Sequence, residues 1–152
     1  MNLFNADYYY TIDLKNRINF KKLLKRVDED DRMFSDYYLV KQERTSTLHK
    51  NKKYPFFYLH TKTSWQEFYK KMQISEMPFE ERMKISQLFG EASLDSSERL
   101  SFPKSFTEFI LARKEVVLHG DGDKIQVWAK EIYDEYISET SKPNNDTLTM
   151  FN

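Results

Sequence analysis

Thr11-Ile12-Asp13-Leu14-Lys15-Asn16-Arg17-Ile18-Asn19-Phe20 is the stretch that decides the fold, because it recurs in degraded form as Ser93-Leu94-Asp95-Ser96-Ser97-Glu98-Arg99-Leu100-Ser101-Phe102. The two aspartates stand 82 positions apart, and each is followed four residues later by an arginine. The flanking apolar residues face one way along an extended chain, so each copy predicts a strand, a turn and a second strand. An Asp entering such a turn accepts hydrogen bonds from backbone N–H groups just ahead of it. Its charge pairs with the Arg that leaves the turn. Asp13, Arg17, Asp95 and Arg99 are therefore expected to shape the two turns. One such pair alone reads as a solvated surface contact of little energetic weight; two in the same strand context point to architecture.

What the turns expose differs. The first presents Lys15, Asn16 and Arg17, a tip suited to phosphate, whereas the second presents Ser96, Ser97 and Glu98. The second turn is expected to be structural or part of a subunit contact.

Outward from the first turn, Phe4, Ala6, Tyr8, Tyr10 and Ile12 alternate with Asn5, Asp7, Tyr9 and Thr11, the period of a strand with one buried face. After it, Phe20, Leu23, Leu24 and Val27 fall on one face of a short helix that the acidic run 28–31 is expected to break. Residues 37–40 and 54–60 read as strands separated by a long polar loop, 42–53. Ser64 and Glu67 form a capping-box pattern ahead of a helix. Pro78 suits the first turn of the next helix, and Gly90 its C-terminal cap. The second half repeats this order, with a short helix from Pro103, strands at 116–118 and 124–128, and a helix carrying Ile132, Tyr133, Tyr136 and Ile137. The expected division is 1–76, first repeat; 77–91, linking helix; 92–138, second repeat; 139–152, a loose tail.

The chain has 152 residues, enough for a core without covalent help, and no cysteine. Thiolate metal sites, disulfides and cysteine nucleophiles are thereby excluded. The N-terminus has neither a basic region nor an apolar run, so a cytoplasmic protein with no membrane partner is expected. Formal net charge is zero, but it is unevenly spread: residues 1–27 carry six basic and two acidic side chains, and residues 41–53 five basic and one acidic. A neutral total can hide a basic face.

Two Asp-x-x-x-Arg strand turns in tandem, Glu81-Arg82 followed by Gly90-Glu91-Ala92, and Val116-Val117-Leu118-His119-Gly120 leading to Ile125-Gln126-Val127-Trp128 together resemble the MraZ family, over roughly residues 4–138 and better in the second half. The resemblance implies an α+β fold of two tandem AbrB-like swapped-hairpin β-barrel half-domains with flanking helices, an internal pseudo-twofold repeat. It also implies a ring-shaped homo-oligomer, nucleoid-associated, that binds double-stranded DNA at short repeats upstream of the division and cell wall gene cluster, its own promoter included. By position, Asp13, Lys15 and Arg17 match the family's Asp-x-Lys-Gly-Arg loop. Asn16 stands where glycine is usual, Glu98 stands there in the second copy, and Lys21 replaces a common proline.

In that reading Lys15 and Arg17 reach base edges or phosphates, Arg being able to bond guanine twice. Asn16 shares the tip, and Lys21, Lys22, Lys25 and Arg26 add phosphate contacts that position the protein. The other function class is an oligomeric scaffold that keeps the ring and has lost DNA binding. No catalytic residue, cofactor or metal ligand is assigned; the three histidines have no ligand spacing. Residues 119–123 begin like a calcium loop but are expected to form a hairpin turn. Lys50-Asn51-Lys52-Lys53 reads as a solvated loop or a phosphate-touching arm. Tyr8-Tyr9-Tyr10 reads as part of a sheet or subunit interface, with stacking on single-stranded nucleic acid as the alternative.

Overall fold

The structure, a computed structural model, describes residues 4–140. Eight strands form one antiparallel sheet in the order β1-β7-β8-β4-β3-β5-β6-β2, which curls into a nearly closed barrel. They are β1 (Asp7–Thr11), β2 (Arg17–Asn19), β3 (Asp36–Thr45), β4 (Lys53–His60), β5 (Phe89–Leu94), β6 (Arg99–Ser101), β7 (Glu115–Asp121) and β8 (Lys124–Ala129). Six α-helices decorate it among the described residues: α1 (Lys21–Leu24), α2 (Glu29–Arg32), α3 (Lys62–Lys71), α4 (Phe79–Ser86), α5 (Lys104–Phe109) and α6 (Lys130–Thr140).

Each half of the chain completes the other. Strand β1 pairs with β7 along Tyr8↔Leu118 and Tyr10↔Val116, while β5 pairs with β3 along Ala92↔Tyr37 and Gly90↔Leu39. The short β2 pairs with β6, Ile18 opposite Leu100. Exchanging the first four strands for the last four leaves this set of neighbours unchanged, apart from β5–β6, whose equivalent β1–β2 makes no ladder.

Side-chain alternation explains the two cores. Val116 and Leu118 of β7 point into the barrel with Ile12, Ile18, Phe57 and Leu100, whereas Val117 points outward to Tyr54, Phe56, Trp128 and Tyr133 beneath α6. Phe56 and Trp128 stack with centroids 4.6 Å apart. Each fully buried Leu, Ile or Phe contributes about 1.5–3 kcal/mol, so strands of both halves are held by a shared interior.

Several expectations are corrected by tertiary contacts. Ser64 is not the cap of α3: Thr61 is, its hydroxyl accepting from Ser64 N at 3.3 Å, while the Ser64 hydroxyl lies buried 2.7 Å from His60 Nδ1. Gly90 does not end α4 but lies within β5, where a Cβ would come within 2.4 Å of the Phe106 ring. The acidic run 28–31 does not simply terminate a helix; Asp28 precedes α2 and the buried Asp31 accepts from Thr63 Oγ1 at 2.8 Å and Thr63 N at 3.1 Å. The polar loop is shorter than expected, because β3 runs on to Thr45 and β4 begins at Lys53. Ala6, on the inward parity of β1, is exposed. Helix α6 continues through Ser138 and Glu139 to Thr140, and the remainder of the expected tail lies outside the described residues. Residues 119–123 do form the β7–β8 hairpin turn.

Candidate nucleic-acid interface

Both turns form as the residue types demand. In the first, Asp13 Oδ1 accepts Lys15 N and Arg17 N, each at 2.9 Å, and Oδ2 accepts Arg17 Nε at 2.8 Å. In the second, Asp95 Oδ1 accepts Ser97 N and Arg99 N at 2.9 Å and Oδ2 accepts Arg99 Nε at 2.9 Å. The αL position falls on Asn16 (φ 59°) and Glu98 (φ 60°), so the conformation usually given to glycine is adopted by both.

The electrostatics follow from these bonds. Partial burial works to raise the Asp13 carboxyl, but the Arg17 backbone and guanidinium and the Lys15 N–H together hold it below its ordinary value. For Asp95 the Arg99 backbone N–H is the largest influence; burial opposes it, and the Arg99 side chain and Ser97 N–H add to it, again giving a lowered value. Each turn is thus clamped by a carboxylate that stays ionised.

The expected site residues are not all in one place. Arg17 is held by Asp13 and its side chain is 21% exposed, so it is a turn clamp first. Lys15 and Asn16 stand at the tip. Lys21 and Lys22 begin α1 at the far end of β2, three residues or about 10 Å along the strand. There Phe20 N donates to Glu98 O at 2.9 Å, which puts them beside the second turn. Lys22 Nζ lies 5.7 Å from the Tyr8 ring.

Ion pairing differs residue by residue within the two basic stretches, a distinction composition cannot make. In residues 41–53, Lys41 sits over the rings of Phe106 and Phe109, Lys52 pairs with Glu135, and Lys53 lies 3.5 Å from Glu43. Arg44 and Lys50 of that stretch, like Lys15, Lys21, Lys25 and Arg26 of the first, are exposed, and among the described residues none has an ion-pair partner. A cleft of about 460 Å³ between Tyr38 and the α3 residues Lys62, Trp65, Tyr69 and Lys70 includes no residue of either turn. No helix among the described residues is long and apolar enough to cross a membrane.

Fold and site define an antiparallel barrel-like protein with two Asp-clamped turns and exposed basic side chains near them. Residues 88–150, less than half of the chain, are similar to the MraZ family, described as an antitoxin-like MraZ protein. A relative named transcriptional regulator MraZ, from Ureaplasma urealyticum serovar 10 (strain ATCC 33699 / Western), is 29% identical over 59 residues, 39% of this chain and 38% of that protein. The chain thus spans 38% of the length of the curated relative it matches. The matched family segment contains the second turn and not residues 13–17.

Proposed function

We propose that the chain is an MraZ-like transcriptional regulator that binds double-stranded DNA through its first turn, at short repeats upstream of a division and cell wall gene cluster that includes its own promoter. The observation that carries this reading is the exposed set Lys15, Lys21, Lys25 and Arg26, without ion-pair partners among the described residues, with Lys15 at the tip of the turn locked by Asp13 and the others in the segment that follows β2. The name of the Ureaplasma relative supports the class. Lys15 and the free edge of Arg17 read bases, Asn16 lets the tip approach, and Lys21 and Lys22 bind phosphate. The two strand-exchanging halves act as AbrB-like units, 1–76 and 92–138, joined through 77–91. One small loop binds weakly, so the working form is a homo-oligomeric ring that gains affinity by meeting several repeats at once.

Fluorescence anisotropy against duplex DNA from immediately upstream of the gene, beside a scrambled duplex at two salt concentrations, tests this. Preference for the native duplex that weakens steeply with salt is expected, and Lys15→Ala with Arg17→Ala should remove it while the oligomer persists. Equal binding to both duplexes, or none, would favour the ring-forming scaffold.

A further inference from the structure

Away from the turns, the densest convergence of hydrogen-bond donors lies in the loop between β3 and β4. Glu139, in the last turn of α6, extends its carboxylate into residues 46–48. Its Oε1 accepts from Ser46 Oγ at 2.7 Å, Thr47 Oγ1 at 2.7 Å, Leu48 N at 3.0 Å and also Thr47 N, while Oε2 accepts from the Tyr54 hydroxyl. Ser46 is only 6% exposed, and its Oγ in turn receives Leu48 N at 3.2 Å and His49 N at 3.0 Å, so the cradle is fixed by its own loop. One helical turn earlier, Glu135 pairs with Lys52 of the same loop.

This cradle is built for more than it holds. Four donors meet one carboxylate oxygen that has about two lone-pair directions. A phosphate, with several anionic oxygens in tetrahedral array, would use the surplus. Glu135 and Glu139 lie about 6 Å apart along the helix axis, four residues at 1.5 Å each. That separation is comparable to neighbouring phosphates on one nucleic-acid strand, and each carboxylate meets a cation or a donor set of the loop. Lys50, in the same loop, is exposed.

We infer that the β3–β4 loop is a second phosphate-binding site for a nucleic-acid backbone, closed in this structure by Glu139 acting as an internal stand-in for the phosphate. The partner rests on the DNA-binding reading above; the anion cradle does not. The Tyr54 hydroxyl is the largest influence on the Glu139 carboxyl; burial opposes it, and with Ser46, Thr47 and Leu48 it is pushed down to about 2. The plug therefore stays charged at any physiological pH and opens by movement, not by protonation.

Glu139→Ala tests the inference with two probes, inorganic phosphate and a duplex of arbitrary sequence. Phosphate should shift the Thr47 and Leu48 amide resonances in Glu139→Ala and leave them still in the parent chain. Duplex affinity should rise about tenfold, with the slope of log affinity on log salt steeper by about 1, as one added phosphate contact requires. Glu131→Ala removes the same charge from an exposed site on α6 and should leave the slope unchanged. Ser46→Ala added to Glu139→Ala should cancel both gains. If Glu139→Ala lowers helicity, Glu139→Gln, which keeps the volume, should give the same changes in smaller measure. Glu139 variants that behave like Glu131→Ala toward both probes overturn the inference, and a response to phosphate without a gain for duplex overturns the nucleic-acid partner. Persistence of preference for the native duplex in those same samples separates this failure from failure of the reading at residues 13–17.

Discussion

The carbonyl of Asn16 accepts the backbone N–H of Phe102 at 2.9 Å, and its counterpart Glu98 accepts that of Phe20 at 2.9 Å. Each αL residue at a turn tip therefore hands its carbonyl to the residue that closes the short strand of the other half. Tip shape and inter-half assembly are one hydrogen-bond system: a tip that leaves αL also turns away the carbonyl that its opposite half needs. This makes the backbone conformation at 16 and 98 a matter of stability as well as of recognition.

Replacing these residues by glycine should reveal that cost. A non-glycine L-residue in αL gives up about 1–2 kcal/mol, less for Asn, partly offset by the greater freedom of unfolded glycine. Glu98→Gly is expected to stabilise the chain by about 1 kcal/mol in urea denaturation, and Asn16→Gly by about half that. A destabilising Glu98→Gly would mean that the Glu98 side chain contributes something the turn geometry does not reveal.

The basic side chains of the first turn should separate by role. Lys15→Ala should weaken duplex binding and leave the urea midpoint where it was, since among the described residues the Lys15 side chain has no bonding partner and only its backbone N–H serves Asp13. Arg17→Ala should lose both binding and stability, because it removes the guanidinium from Asp13 Oδ2. Equal loss of stability in the two variants would contradict the assignment of Arg17 as the clamp.

Acid should act in two windows. His60 is buried, with Nε2 lacking a hydrogen-bond partner among the described residues, and burial first, with the nearby Lys124 charge, pushes its pKa down to about 4, Asp123 opposing. The unfolded chain binds this proton near pH 6.5 and the folded chain does not. Stability is therefore lost as pH falls from about 6.5 toward 4, by up to about 3 kcal/mol at 1.36 kcal/mol per unit. Asp13, Asp95 and Glu139 have depressed values, so their contribution persists above the ordinary carboxylate range and disappears as pH falls below about 4. Thermal midpoints at stepped pH check this: His60→Gln should flatten the upper window only, and Glu139→Gln should shrink the lower one only, leaving the share of Asp13 and Asp95.

Two glycines are set by packing. A Cβ on Gly120 would meet the Phe4 carbonyl carbon at 2.4 Å and Asn5 N at 2.6 Å, both backbone, whereas one on Gly90 would meet the edge of the Phe106 ring. A ring can tilt and a paired backbone cannot. Gly120→Ala should cost about 3 kcal/mol and Gly90→Ala about 1 kcal/mol, with Phe106→Leu relieving only the latter. The reverse order of costs would overturn this account.

The sequence by itself determined the two turns, their Asp–Arg clamps and the inward parity of the strands around them, because these depend on residues within five positions of one another. It also held the family likeness, strongest in the second half, where residues 88–150 are similar to the MraZ family. Only the tertiary structure decided which strand pairs with which, since β1 and β7 meet across more than a hundred residues and alternation carries no address. It moved Gly90 from a cap into a strand because Phe106 lies against that position. It gave Thr61 the cap of α3 because Ser64 turns toward His60. It paired Lys52 with Glu135 and placed Glu139 in the 46–48 cradle, because such ion pairs and donor sets form between segments the chain brings together only on folding.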